Sequence, residues 1–156
     1  MPRSYKSTAV HLKPDPRYGS KLCSKLINKL MQDGKKSTAQ KLLYDAMDIV
    51  AEKVQADPLE IITAAVENSS PRLEVRSRRV GGATYQVPRE VRAKRSQSLG
   101  IRWLVDSARS KRGKPMARRL AEEIFDAFNN QGVAVTKKDN VHKMAEANSA
   151  YSHFSW

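Results

Sequence analysis

A chain of 156 residues that sets 29 Lys and Arg against 16 Asp and Glu carries a formal net charge of +13, yet 40% of it is hydrophobic. That apolar content excludes a fully disordered basic tail, and a folded chain of this size buries ~70% of its unfolded surface, enough for one sizeable core. The single Cys23 excludes an internal disulfide, the longest apolar runs fall far short of the ~20 residues of a membrane-crossing helix, and the basic start lacks the apolar stretch of a secretory signal.

The charge is unevenly spread. Residues 1–36 hold nine basic and two acidic residues, 37–71 two and six, 72–119 fifteen and three, 120–136 none and three, and 137–156 three and two. Two basic blocks separated by acidic segments suit a protein with one phosphate-facing surface, and nucleic acid is the expected partner.

In chain order, a first helix is expected to open at Ser20, bury Leu22, Leu26, Ile27, Leu30 and Met31, carry Lys21, Lys25 and Lys29 as a stripe, and end at Gly34. Ser37 with Gln40 reads as a capping box opening a second helix with Leu42, Leu43, Ala46, Met47, Val50 and Val54 inward. Asp57-Pro58 with Glu60 caps a third, which buries Ile61, Ile62, Ala65 and Val66 and stops over 68–71.

The period then changes. Leu73 and Val75 alternate with polar residues, Gly81-Gly82 supplies a turn, and Tyr85 and Val87 alternate again with Pro88 at the foot, so 72–91 reads as a β-hairpin. Its distal half has almost nothing to bury, which predicts an arm that projects from the helices and orders fully on a partner. The alternative is an ordinary hairpin folded on the core.

A fourth helix over about 90–109 turns Ile101, Leu104, Val105 and Ala108 inward, with Arg92, Arg95, Arg102 and Arg109 on its other side. A basic linker, 110–114, precedes a fifth helix that starts at Pro115, carries Ala117, Leu120, Ala121, Ile124, Phe125 and Phe128, and ends at 130–132. Thr136 with Asp139 boxes a terminal helix bearing Val141, Met144, Ala145, Asn148, Tyr151 and Phe154. The expected fold is mainly α: a single domain over 1–156 of about six helices with an inserted, protruding two-stranded hairpin arm over 72–90 and a basic N-terminal extension over 1–18.

Arg76, Arg78 and Arg79 around a glycine turn suit RNA, because guanidinium groups fork onto phosphate or stack on bases. Lys35 and Lys36, between a helix end and a helix start, either meet a phosphate or complement the dipole of the first helix. Arg109, Lys111, Arg112, Lys114, Arg118 and Arg119 read as a backbone-binding patch or a solvated face. Trp103, Tyr85, Tyr151 and Trp156 are the residues able to stack on bases; core packing is the favoured reading for Trp103, Tyr85 is the better stacking candidate, and Trp156 is open. His11, His142 and His153 lack partners at metal-ligand spacing. Asp57 and Glu60 are caps, Glu122 and Glu123 a solvated or protein-facing patch, and Cys23 a small core residue. No catalytic constellation, metal site or phosphate loop is found, and no cofactor is expected. A helical DNA-binding regulator is the rival from another class, against which the hairpin and the dispersed basic blocks argue.

The runs Asn28 to Ala39 (NKLMQDGKKSTA), Leu73 to Pro88 (LEVRSRRVGGATYQVP), Ile101-Arg102-Trp103 and His142 to Asn148 (HKMAEAN) closely resemble small-subunit ribosomal protein seven in its bacterial form. The likeness runs in order from about Lys13 to Trp156. Arg89, Ala93, Gly100, Ser149 and Ser155 depart from that family's usual pattern.

The resemblance implies a non-enzymatic constituent of the small ribosomal subunit that binds the 3′ major domain of small-subunit rRNA and nucleates assembly of the subunit head. Its RNA-facing set would be Arg3, Lys6, Lys35, Lys36, Arg72, Arg76, Arg92, Lys94, Arg95, Arg102, Arg109, Lys111, Arg112, Lys114, Arg118, Arg119, Lys137, Lys138 and His142. The arm, through Arg78, Arg79, Val80, Gly81, Gly82 and Tyr85, would lie at the tRNA exit site near the mRNA. Small-subunit proteins nine and eleven would be neighbours, in a cytoplasmic or organellar ribosome. No membrane and no small-molecule substrate are implied.

Overall fold

The computed structural model describes residues 11–154. In chain order these form α1 (Lys21–Leu30), α2 (Lys36–Val54), α3 (Pro58–Ser69), β1 (Leu73–Val80), β2 (Ala83–Glu90), α4 (Ala93–Ser110), α5 (Met116–Phe128), α6 (Gly132–Ala147) and a 3₁₀ segment, Ser149–Phe154. The expected helical bundle with an inserted hairpin is therefore present.

The inward positions follow the helical period, so the core collects Leu26 and Ile27 of α1, Leu43, Met47 and Val50 of α2, Ile61 and Ile62 of α3, Leu104 of α4, and Leu120 and Ile124 of α5. Helix α5 is central and packs on α2, α3, α4 and α6. Cys23 is buried, and Trp103 packs half-buried against the core, as their apolar neighbours predicted.

Ser20 caps α1 by accepting the Leu22 N–H at 3.2 Å. The chain before it is fastened down from Lys13 onward. Ser24 Oγ donates to the Lys13 carbonyl at 2.7 Å, and buried Asp15 accepts from the Arg17 and Tyr18 amides and, at 2.7 Å, from the Tyr44 hydroxyl. Burial, and then the bond to Asp15, push the Tyr44 phenol up to about 12. Arg17 lies 5.1 and 5.2 Å from the Tyr18 and Tyr44 ring centroids and grips both oxygens of Asp48.

Several helix ends differ from expectation. Helix α1 stops at Leu30 rather than Gly34, and α2 opens at Lys36 with no side-chain cap, so Ser37 and Gln40 form no capping box. Asp33 and Gly34, at φ 52° and 72°, have already turned the chain, and helical geometry is established one residue before Ser37. Asp57 occupies the N-cap of α3 without a side-chain bond; Pro58 opens the helix as predicted. Helix α4 begins at Ala93 because Glu90 is drawn into the ladder opposite Leu73.

Helix α6 begins at Gly132, four residues ahead of the expected Thr136–Asp139 box, and Thr136 Oγ1 donates to the Gly132 carbonyl from inside the helix. The start is supplied by another element: Glu123 of α5 accepts the Ala134 N–H at 2.9 Å. Gly132 has φ 92°, and a Cβ there would lie 2.9 Å from the Asp126 Cβ, so only glycine suits this approach. Met144 is exposed on α6, and the helix ends at Ala147, so Tyr151 and Phe154 fall in the 3₁₀ segment rather than in the helix.

The strands pair antiparallel from Leu73↔Glu90 to Val80↔Ala83, and Gly81 and Gly82 take φ 58° and 90° in the two-residue turn, the geometry in which glycine is favoured. Val87 is buried, and the β1 side packs on α6. The distal half is not the uncovered ribbon its pattern suggested. The Tyr85 ring lies 5.1 Å from Tyr151 and 5.3 Å from Phe154, and Arg78 Nη1 donates to the Phe154 carbonyl at 3.2 Å. The exposed tip is Gly81 to Thr84.

Candidate nucleic-acid interface

Lysines every fourth residue line up along one side of an α-helix, and packing of α1 on α4 sets that stripe against basic residues of the other helix. Lys25 and Lys29 of α1 face Lys94 and Arg102 of α4 across a cleft of about 350 Å³ that also includes Asn28, Ser98 and Ile101. Lys25 donates to Gln97 Oε1, and Lys29 lies 3.2 Å from Asp106. The stripe was legible in the sequence; that Lys94 and Arg102 stand opposite it was not, because nothing local says which helix will pack there.

The hairpin extends the cationic surface. Arg72, Arg76, Arg79 and Arg92 are exposed, as are Lys94, Arg95 and Arg102. Arg76 and Arg95 both bond Glu74, at 3.1 and 2.7 Å. Lys35 and Lys36 are exposed at the uncapped start of α2. Lys137 is exposed on α6, and Lys138 is half-buried 3.6 Å from Asp139. Arg3 and Lys6, like Trp156, lie outside the described residues.

Three of the residues expected to face RNA are half-buried and bonded within the protein. Arg109 Nη2 donates to the Lys29 and Leu30 carbonyls at 3.2 Å, closing the C-terminal end of α1. Arg119 donates to the carbonyls of Arg109 and Lys111. The Lys111 ammonium lies 2.8 Å from Glu123, which has no exposed surface, so Glu123 is an interior acid rather than a surface patch. Burial pulls the Lys111 pKa down, but the Glu123 bond and the nearby acids outweigh it and raise it. Of the rest of that run, Lys114 pairs with Glu122 at 2.5 Å, whose pKa that bond lowers, while Arg112 and Arg118 stay exposed.

His142 is also engaged: its Nε2 accepts the Arg72 N–H at 2.9 Å and ties α6 to the foot of the arm. Burial, then Lys138 and Arg72, lower its pKa against the pull of Asp139. Tyr85 makes tilted ring contacts with Tyr151 and Phe154, so part of its ring is taken up within the protein. No group of three or more His, Cys, Asp or Glu suited to a metal occurs among the described residues, and no helix there is long and apolar enough to cross a membrane.

Residues 2–149 match the family described as Ribosomal protein S7p/S5e. The chain belongs to that family. Proteins named small ribosomal subunit protein uS7 are similar over nearly its whole length. That of Thermotoga petrophila is 59% identical over 143 residues, 92% of each chain; those of Dictyoglomus turgidum and a Thermoanaerobacter species are 56% and 58% identical over 156 residues, all of each chain. The S7p/S5e family is one of structural ribosomal proteins and not of enzymes.

Proposed function

We propose that this protein is a structural constituent of the small ribosomal subunit that binds the 3′ major domain of small-subunit rRNA, helps organise the subunit head, and holds its hairpin by the tRNA exit site and the mRNA path. Small-subunit proteins nine and eleven are its expected neighbours, within a bacterial cytoplasmic ribosome. The observation that carries this reading is the convergence of Lys25, Lys29, Lys94 and Arg102 on one cleft, continued by the exposed arginines of the adjoining hairpin in a chain of the S7p/S5e family.

Multiple phosphate contacts release counterions, so neutralising ~6 to 10 phosphates weakens binding by roughly three to five decades between about 50 and 200 mM salt. Specificity rests on shape and unpaired features, because side chains cannot read the narrow RNA major groove. The test is competition between a 3′ major-domain rRNA fragment and duplex DNA at moderate salt. Preference for the fragment with a steep salt dependence is expected; equal affinity for DNA, or affinity indifferent to salt, overturns the reading.

A further inference from the structure

One acid of this cationic surface is held by two arginines. Glu74, near the foot of β1, is 9% exposed, and both of its oxygens are taken by arginines from different elements. Oε1 accepts from Nε of Arg76, on the same strand, at 3.1 Å; Oε2 accepts from Nε of Arg95, in the first turns of α4, at 2.7 Å. Burial opposes ionisation of Glu74, but the two guanidiniums outweigh it and hold the carboxyl below its ordinary range. Both arginine side chains are nonetheless half exposed, at 51% and 52%. Each bonds through Nε, which leaves its terminal Nη donors for an acceptor from outside.

By charge alone, an acid here weakens attachment to a polyanion. We infer that Glu74 is a positioning residue: it locks Arg76 of the arm and Arg95 of α4 side by side as one unit that grips an RNA phosphate. The inference rests on the rRNA-binding reading above. A guanidinium presents its donors as a rigid fork, so fixing Nε also orients the remaining N–H groups. A long side chain ordered before binding has less rotamer freedom to lose when the phosphate arrives. The same carboxylate joins the foot of the hairpin to α4, so the arm and the helix meet RNA in a fixed relation.

The experiment measures affinity of the full chain for a 3′ major-domain rRNA fragment at fixed moderate salt. Glu74→Gln removes a negative charge, so simple electrostatics calls for tighter binding. Positioning calls for binding weaker by about five- to twentyfold, the cost of ordering two arginines at the moment of binding. It also calls for Arg76→Gln and Arg95→Gln to cost far less on the Glu74→Gln background than on the wild type. Equal or tighter binding by Glu74→Gln overturns the proposal, and so do arginine costs that are the same on both backgrounds, which would mark a purely structural acid. Should Glu74→Gln not fold, the arginines alone decide: a combined loss well below the product of the single losses supports one shared phosphate, and a loss equal to the product overturns it. A wild type that prefers duplex DNA overturns the rRNA reading and this proposal together, whereas a wild type that prefers the fragment, matched by Glu74→Gln, overturns this proposal alone.

Discussion

The Lys111 ammonium lies 2.8 Å from Oε2 of Glu123, whose other oxygen accepts the Ala134 N–H at 2.9 Å. One interior carboxylate thus joins the linker after α4 to α5 and serves as the missing cap of α6. Removing either partner strands a buried charge or polar group, which costs about 3–5 kcal/mol. Glu123→Ala is therefore expected to lower unfolding free energy by about 3 kcal/mol or more in urea titration, and Lys111→Met by a comparable amount. Because the folded Lys111 pKa is raised, its contribution is complete below the ordinary lysine value of 10.5 and is lost as pH climbs through the higher folded value. Alkaline unfolding curves should show that loss in the wild type and not in Lys111→Met.

Gly100 sits inside α4 against the C-terminal end of α3. A Cβ there would stand 2.5 Å from Ser70 Oγ and 2.9 Å from the Val66 carbonyl oxygen. Alanine is the better helix former by about 1 kcal/mol, but overpacking of this kind costs typically about 1–3 kcal/mol. Gly100→Ala should therefore lower stability by about 1 kcal/mol net, read as a fall of roughly 2–4 °C in Tm. Adding Ser70→Ala should restore part of the loss, since it removes the nearer of the two obstacles.

His142 makes the foot of the arm sensitive to acid. Its Nε2 is the acceptor for the Arg72 N–H, and protonation turns that acceptor into a donor. A depressed folded pKa means that the stabilisation is present above the ordinary value of 6.5 and is lost as pH falls through the lower folded one. Between pH 7.5 and 5, the protection of the amides at Arg72 and along β1, taken relative to their intrinsic exchange rates, should fall in the wild type. His142→Gln, whose amide oxygen can accept the same bond without titrating, should flatten that response.

The core was legible because apolar spacing is a local property: Leu26, Leu43, Ile61, Leu104 and Leu120 fall inward wherever the 3.6 period puts them. The Gly81-Gly82 turn was legible for the same reason, since two adjacent positive-φ positions select glycine. The start of α6 was not, because its cap comes from Glu123, eleven residues back. The basic residues were the least separable. Arg109, Lys111 and Arg119 have the same composition signal as Arg112 and Arg118, and only the packing of α4 against α1 and α5 turns the first three inward. Lys25 and Lys29 show the converse, being drawn into the cleft by a helix some seventy residues away in sequence.

The two arginines at the tip of the arm do different things, and their variants should separate accordingly. Arg78 bonds the Phe154 carbonyl and pairs across the strands with Tyr85, whose ring packs on Tyr151 and Phe154, whereas Arg79 is exposed opposite Thr84. An aromatic pair adds about 0.5–1.5 kcal/mol beyond its buried area, enough to slow local opening of a two-stranded ribbon without setting global stability. Tyr151→Ala with Phe154→Ala should therefore speed amide exchange over Thr84 to Gln86 several-fold while the urea midpoint barely moves. Arg78→Ala should reproduce part of that loosening. Arg79→Ala should leave exchange unchanged yet weaken the protection of exit-site tRNA in reconstituted subunits, because its guanidinium has no role in holding the C-terminal segment. If subunits carrying both Arg78→Ala and Arg79→Ala protect the tRNA as well as wild type, the arm does not contact it, and the hairpin's arginines must serve rRNA alone.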